Sequence, residues 1–108
     1  MKNLQTTIIR DTVKEMCIQA NHYLSEDMNL ELKKAVDTEK SELGKKILNQ
    51  LQENLQIADQ EQIPICQDTG MAVFFVEVGQ ELQIEGCLLT DDINEGVRLG
   101  YTEGYLRK

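Results

Sequence analysis

The middle of the chain carries a thiol, an amide, a carboxylate and a hydroxyl in direct succession, at Cys66, Gln67, Asp68 and Thr69. A cysteine thiolate is a soft metal ligand and a nucleophile, and a carboxylate can transfer a proton. Reactive side chains in a short loop between regular elements are a common arrangement for a functional site. The alternative is a loop whose Asp and Thr cap backbone groups while Cys66 packs as a small hydrophobe.

The elements that hold this loop follow from its flanks. Pro64, the one proline of the chain, fixes its own φ and disfavours helix at the residue before it. Gly70 permits a tight bend before the apolar run that starts at Met71. The pattern therefore predicts a helix that ends before Pro64, a reactive loop, and then a strand.

Helical periodicity occurs in four segments. The first covers residues 4–24, and a second follows the N-cap signal Ser25 and directs Met28, Leu32, Ala35 and Val36 inward. The third covers about Ser41 to Gln60, with a stripe formed by Leu43, Ile47, Leu51, Leu55 and Ala58. The fourth starts near Thr90.

Two segments after the loop read as strands. Met71–Val78 is β-branched and aromatic, which favours a buried strand, and Leu82–Glu85 alternates like a half-exposed strand. The predicted fold is α+β: a predominantly helical domain over residues 1–108 with a short strand pair after the Cys-Gln-Asp-Thr-Gly loop.

The last predicted helix carries a glycine at every fourth position, Gly96, Gly100 and Gly104. Each costs about 1 kcal/mol of helix propensity relative to alanine, so a face this smooth should lie against another backbone or a partner. We therefore expect the chain to self-associate or to bind a partner through this face.

Composition narrows the class of protein. A net charge of −8 argues against nucleic acid or an anionic membrane as a partner. The start of the chain lacks the apolar core of a signal peptide, and three cysteines are too few and odd in number for a secreted disulfide framework, so we expect a cytoplasmic location.

Periodicity places Cys17 in a core, and Cys87 reads as a small apolar residue. His22 could serve as a base, but we expect it on a polar face or as a dipole partner at a helix C-terminus.

The string Pro64–Gly70, followed by Phe74–Gly79, resembles the N-terminal part of the alpha subunit, or alpha region, of iron–sulfur hydro-lyases. These are the class I fumarate hydratases and the L(+)-tartrate dehydratases. Ser41–Lys46, Asn54–Ala58 and Ile93–Val97 are similar to the same family. The resemblance implies an enzyme that reversibly adds or removes water on a C4 dicarboxylic acid (malate and fumarate, or tartrate to oxaloacetate) with a 4Fe-4S cluster.

The resemblance also assigns roles within the loop. Cys66 corresponds to the first cluster ligand, and Gln67 would contact or orient the substrate. Asp68 would be a proton-transfer or hydrogen-bonding group, and the resemblance leaves open whether it is the acid, the base or a positioning residue.

This sequence departs from the family pattern in one respect. The family's other two cluster cysteines belong to the alpha region beyond the matched part, and neither Cys17 nor Cys87 has a matching position. We therefore expect an N-terminal piece, natural or truncated, that is inactive alone. Its partners would be the rest of the alpha region, a beta subunit, the dicarboxylate substrate and further copies of the chain in a homo-oligomer. The alternatives are a helical assembly module and a thiol-based redox protein, and the absence of a Cys-x-x-Cys pair disfavours the latter.

Overall fold

The computed structural model describes residues 2–66 and 69–106, and this part of the chain forms four helices and two short strands. The elements in chain order are β1 Lys2–Gln5, α1 Thr6–His22, α2 Glu26–Thr38, α3 Glu42–Glu61, β2 Leu82–Glu85 and α4 Leu89–Glu103. The predominantly helical α+β class is therefore confirmed.

The two strands come from opposite ends of the chain. β1 pairs with β2 in parallel, with Lys2 opposite Leu82 and Gln5 opposite Glu85. The first helix consequently begins at Thr6 rather than at residue 4, because Leu4 and Gln5 belong to the ladder. A partner 80 positions away in register leaves no local signal in the sequence.

The prediction of a strand at Met71–Val78 was wrong. Residues 71–78 have no regular secondary structure, since no other segment of the described chain pairs with them. Of the two strands expected after the loop, the structure confirms the one at Leu82–Glu85.

The packed part of the molecule is the α1–α4 pair. Val13, Cys17 and Leu106 are buried between these helices, and Phe74 packs against them from outside. A Cβ at Gly96 would lie 2.5 Å from the Arg10 carbonyl oxygen. The glycines therefore meet another backbone, as expected, but the expectation of self-association through this face was wrong, because α1 occupies it.

Helices α2 and α3 form a hairpin with little burial. Ser41 caps α3, and its Oγ accepts a hydrogen bond from the Gly44 N–H at 3.2 Å. The predicted apolar stripes are present, yet Ala58 is the only buried residue of the two helices. Met28, expected inward, is 55% exposed, and Leu43 is 67% exposed. Burial was therefore predicted wrongly here, although the helices themselves were predicted correctly.

The molecule is elongated, with extents of 57 × 28 × 21 Å and a radius of gyration of 18.0 Å. A compact domain of this length has a radius of gyration of about 13 Å. The accessible surface is 8327 Å², whereas a monomer of 12.3 kDa exposes about 6,100 Å². The described part of the chain contains no helix of the length and hydrophobicity that crossing a bilayer requires.

Candidate functional site

The loop that contains Cys66 is entered through a defined end of α3. Gln62 adopts the left-handed conformation, with φ 54° and ψ 50°, and its N–H donates to the Ala58 carbonyl. The Ile63 N–H donates to the same oxygen at 3.1 Å, which satisfies the end of the helix before Pro64. The predicted helix stop is thus confirmed, with α3 ending at Glu61.

Both backbone groups of Ile65 are held by neighbouring helices. Its N–H donates to the Asn21 carbonyl near the end of α1 at 2.9 Å. Its carbonyl accepts from Asn54 Nδ2 in α3 at 2.7 Å. The side chain of Asn21 in turn donates to the Cys17 carbonyl at 2.8 Å. The residue directly before Cys66 is therefore fixed between α1 and α3.

The exit of the loop is attached to α4. The Tyr101 hydroxyl donates to the Thr69 carbonyl oxygen at 3.4 Å. Gly70 has a φ of 65°, a conformation that L residues rarely adopt, which agrees with the predicted bend. Three helices thus hold the loop on its two sides, and the predicted site residues lie between these attachments.

Of the predicted site residues, the structure describes Cys66. Its thiol is exposed and forms no disulfide. Gln67 and Asp68 lie outside the described residues, so their assigned roles stay predictions.

An apolar cleft of about 420 Å³ lies between α1, residues 69–75 and Tyr101. Its lining includes Met16, Cys17 and Phe74, and none of the described residues that line it is charged. Burial raises the pKa of the Tyr101 hydroxyl, with a smaller contribution from Cys17. The described residues of the cleft therefore cannot bind a carboxylate by charge.

The arginines that could recognise a carboxylate are engaged elsewhere. A hydrogen bond to Asp11 raises the pKa of Arg10, and a hydrogen bond to Glu95 raises that of Arg98. Arg107 lies outside the described residues. Within the described ranges, both arginines therefore pair with a carboxylate of their own helix.

Comparison with known proteins settles the family. The family model for fumarate hydratase (Fumerase) matches residues 10–108, which include the whole loop. The chain belongs to the fumarate hydratase family. No solved structure is significantly similar to it.

The chain is also similar to alpha subunits that are longer than it is. The putative L(+)-tartrate dehydratase subunit alpha of Methanocaldococcus jannaschii is 36% identical over 100 residues, which are 92% of this chain and 35% of that protein. The L(+)-tartrate dehydratase subunit alpha of Escherichia coli K12 is 38% identical over 65 residues, or 60% of this chain and 22% of that protein. The chain thus matches about a third or less of the length of these relatives.

The other candidate residues do not join the loop in a common metal site. Cys17 is buried in the core as expected, and burial raises the pKa of its thiol. Cys87 is exposed rather than packed as a small apolar side chain. Among the residues that the structure describes, no group of three or more His, Cys, Asp and Glu side chains could hold a metal ion.

His22 is buried at the end of α1, so the polar-face alternative was wrong. Its Nε2 lies 3.2 Å from the Gly104 carbonyl at the end of α4, whereas Nδ1 has no partner in the described structure. The ring therefore contacts a helix C-terminus, which was the other expectation.

The loop anchors Asn21, Asn54 and Tyr101 were missed in the sequence. Asparagine competes poorly inside helices because its side chain hydrogen-bonds backbone groups in other conformations. An asparagine at position 54, well inside α3, was therefore the signal that could have indicated a contact outside the helix.

Proposed function

We propose that the chain is the N-terminal domain, residues 1–108, of the alpha part of an iron–sulfur hydro-lyase acting on a C4 dicarboxylic acid. The observation that carries this proposal is the fumarate hydratase match over residues 10–108, with the loop inside it. Relatives named as alpha subunits support a beta subunit as a partner. Because the chain matches only part of those relatives, the complete activity would require the remaining polypeptide.

The donor set fits one ligand of a cluster. Cys66 is exposed, and the backbone of the preceding Ile65 is fixed by two hydrogen bonds, as a ligand position requires. Cys17 is unsuited, because its thiol is buried in the α1–α4 core with Val13 and Leu106. The other ligands would therefore come from outside the described residues. When bound, an iron–sulfur cluster with an open iron position would supply Lewis-acid chemistry at the substrate hydroxyl.

The loop residues would then have separate roles in binding the substrate and in proton transfer. Gln67 would orient the substrate through its amide, and Asp68 would hold or move a proton at its carboxylate. Asn54 and Tyr101 would keep the two ends of the loop at a fixed separation, which limits misplacement of these groups. The carboxylates of the substrate would be bound by groups outside the described residues.

The test uses the enzyme with the remaining alpha region and the beta subunit restored. Cys66→Ser replaces a soft sulfur ligand with a poorer one, so the cluster absorbance and the activity should both be lost. Cys87→Ser is the matched control, because this exposed thiol has no counterpart in the family pattern, and it should leave both unchanged. An enzyme that keeps its cluster and full rate with Ser at position 66 would falsify the assignment.

Asp68→Asn separates chemistry from scaffolding in the same enzyme. It should leave the cluster absorbance intact and lower turnover by about 10²–10⁴-fold, the usual contribution of a general acid or base. A capping carboxylate would tolerate asparagine, which caps about as well, with turnover nearly unchanged. Unchanged turnover would therefore refute proton transfer by Asp68.

The proposal includes a cytoplasmic location and a homo-oligomer. None of the three cysteines forms a disulfide, which suits a reducing compartment. The large exposed apolar surface suits assembly into something larger. A non-catalytic assembly module would share this surface, and the cluster absorbance of the restored enzyme distinguishes the two.

A further inference from the structure

The segment directly after the loop, residues 71–78, exposes an apolar run that only Glu77 interrupts. Phe75 is 95% exposed, Met71 84% and Val73 66%. No backbone N–H or C=O group of residues 71–78 takes part in a hydrogen bond within the described chain. Contiguous apolar surface of this kind marks an interaction site in folded proteins.

The degree of exposure varies among these side chains. The odd positions Met71, Val73 and Phe75 are the most exposed, whereas Val76 is 53% and Val78 48% exposed. Phe74 is half-buried against the α1–α4 core. The other seven residues of the segment are exposed and form its open face.

If a partner covers the open face, the backbone N–H and C=O groups of the segment also need hydrogen-bond partners. A partner that removes these side chains from water also removes the backbone groups between them, and buried backbone groups need hydrogen-bond partners. The run is β-branched and aromatic and contains neither proline nor glycine, so it is suited to a sheet. The edge of a sheet supplies the required partners at successive residues.

We infer that residues 71–78 become a β-strand by adding to a sheet edge in the alpha-subunit polypeptide that lies beyond the region matched here. The M. jannaschii relative is nearly three times as long as its matched region, so such a polypeptide exists in the family. The excess of about 2,000 Å² of surface over a compact monomer is more than twice the area that one partner buries in a standard interface. This inference rests on family membership and on the exposed segment, and it does not depend on the cluster chemistry proposed above.

A second copy of the chain fits these observations less well. Two copies that paired through residues 71–78 would leave the exposed residues of α3, such as Leu43 and Ile47, outside the pairing. A long polypeptide of the same subunit can cover several elements at once. Docking would also fix the loop, because Gly70 alone separates Thr69 from the new strand.

The test measures amide hydrogen exchange by mass spectrometry in the chain alone and in a fusion that replaces the matched region of the M. jannaschii subunit. In the chain alone, amides 71–78 should exchange nearly as fast as in an unstructured peptide. In the fusion they should slow by at least about 100-fold. Phe75→Asp should abolish this protection, whereas Leu30→Asp, a control at a leucine of α2 that is 58% exposed, should retain it.

Three results would overturn the inference. The first is fast exchange at 71–78 in a fusion that is otherwise protected, and the second is protection that survives Phe75→Asp. The third is concentration-dependent protection in the chain alone, which would assign the segment to pairing between copies. If the fusion does not fold, the unmodified M. jannaschii subunit decides, because its segment matching residues 71–78 must then be protected. Loss of the cluster or of activity would change none of these readings.

Discussion

Substitution of Gly96 by alanine should destabilise the chain although it improves helix propensity. The new Cβ would lie 2.5 Å from the Arg10 carbonyl oxygen and 2.8 Å from Val13 Cβ. Since the first contact is with backbone, α1 must move away from α4 and disturb the core around Val13. Overpacking of this kind costs about 1–3 kcal/mol, and the upper end applies when backbone must shift. Alanine returns about 1 kcal/mol of propensity, so we expect a net loss of about 2 kcal/mol.

Gly44→Ala provides the matched control in α3. There the Cβ would lie 2.8 Å from Glu39 Cδ, which belongs to a side chain that can swing away. The movement would give up the hydrogen bonds from the Lys40 and Ser41 N–H groups to Glu39 Oε1, both at 3.0 Å. This loss roughly offsets the gain in propensity, so the free energy of unfolding should change by less than about 1 kcal/mol.

Urea unfolding followed by far-ultraviolet circular dichroism measures both variants under one condition. For a domain of this size, the loss at position 96 corresponds to a Tm lower by on the order of 10 °C. A Gly96→Ala variant as stable as Gly44→Ala would show that the α1–α4 contact is looser than described, and it would reopen the glycine face as a surface for partners.

Two further predictions concern the core and the loop. Burial raises the pKa of the Cys17 thiol above its ordinary value of 9.0, so above that pH the unfolded chain loses a proton that the folded chain keeps. The contribution of this thiol to the free energy of unfolding is therefore full below pH 9.0 and falls as the pH rises. Cys17→Ala should therefore flatten the fall in the urea midpoint between about pH 8 and pH 10, and an unchanged fall would assign it to other groups. Asn54→Ala removes the donor to the Ile65 carbonyl and leaves the Ile65 backbone held, within the described chain, only by the hydrogen bond from its N–H to Asn21. The Ile65 amide should then exchange about tenfold faster, while the free energy of unfolding changes by less than about 1 kcal/mol. Asn49→Ala, at another exposed asparagine of α3, should leave that exchange rate unchanged, and an equal effect of both variants would contradict a specific role for Asn54.

The helices were predictable because their signals are local. Ser25 and Ser41 mark two helix starts, and Pro64 places the end of α3 within a few residues. Burial could not be read in the same way. The stripe on α3 shows which face is apolar, but only tertiary contacts decide whether that face is covered, and Leu43 and Ile47 remain exposed.

Whether a strand could be predicted from the sequence depended on where its pairing partner lies in the chain. β1 could not be foreseen, because its four residues become a strand only through pairing with Leu82–Glu85. Residues 71–78 have the composition of a strand but lack a partner in the described chain. Composition indicates which secondary structure a segment favours, whereas a β-sheet also requires a second strand that pairs with it.

The candidate loop was recognisable from residue types, but its support was not. The bend at Gly70 was identified directly and agrees with its φ of 65°, whereas the role of Cys66 stays a prediction. The hydrogen bonds from Asn54 and Tyr101 depend on where α3 and α4 lie in space, which no spacing in the sequence reveals.

The parallel pairing of β1 with β2 has a consequence for synthesis on the ribosome. At roughly 5–20 residues per second, the chain needs about 4–16 seconds to add the 80 positions that separate the two strands in register. During this time the α2–α3 hairpin can form from local contacts, whereas Lys2–Gln5 must wait without a partner. The apolar run at 71–78 is made shortly before β2. Near the end of this interval, the nascent chain therefore carries an unpaired strand and an exposed apolar segment at the same time. A chaperone would matter most at that stage of synthesis.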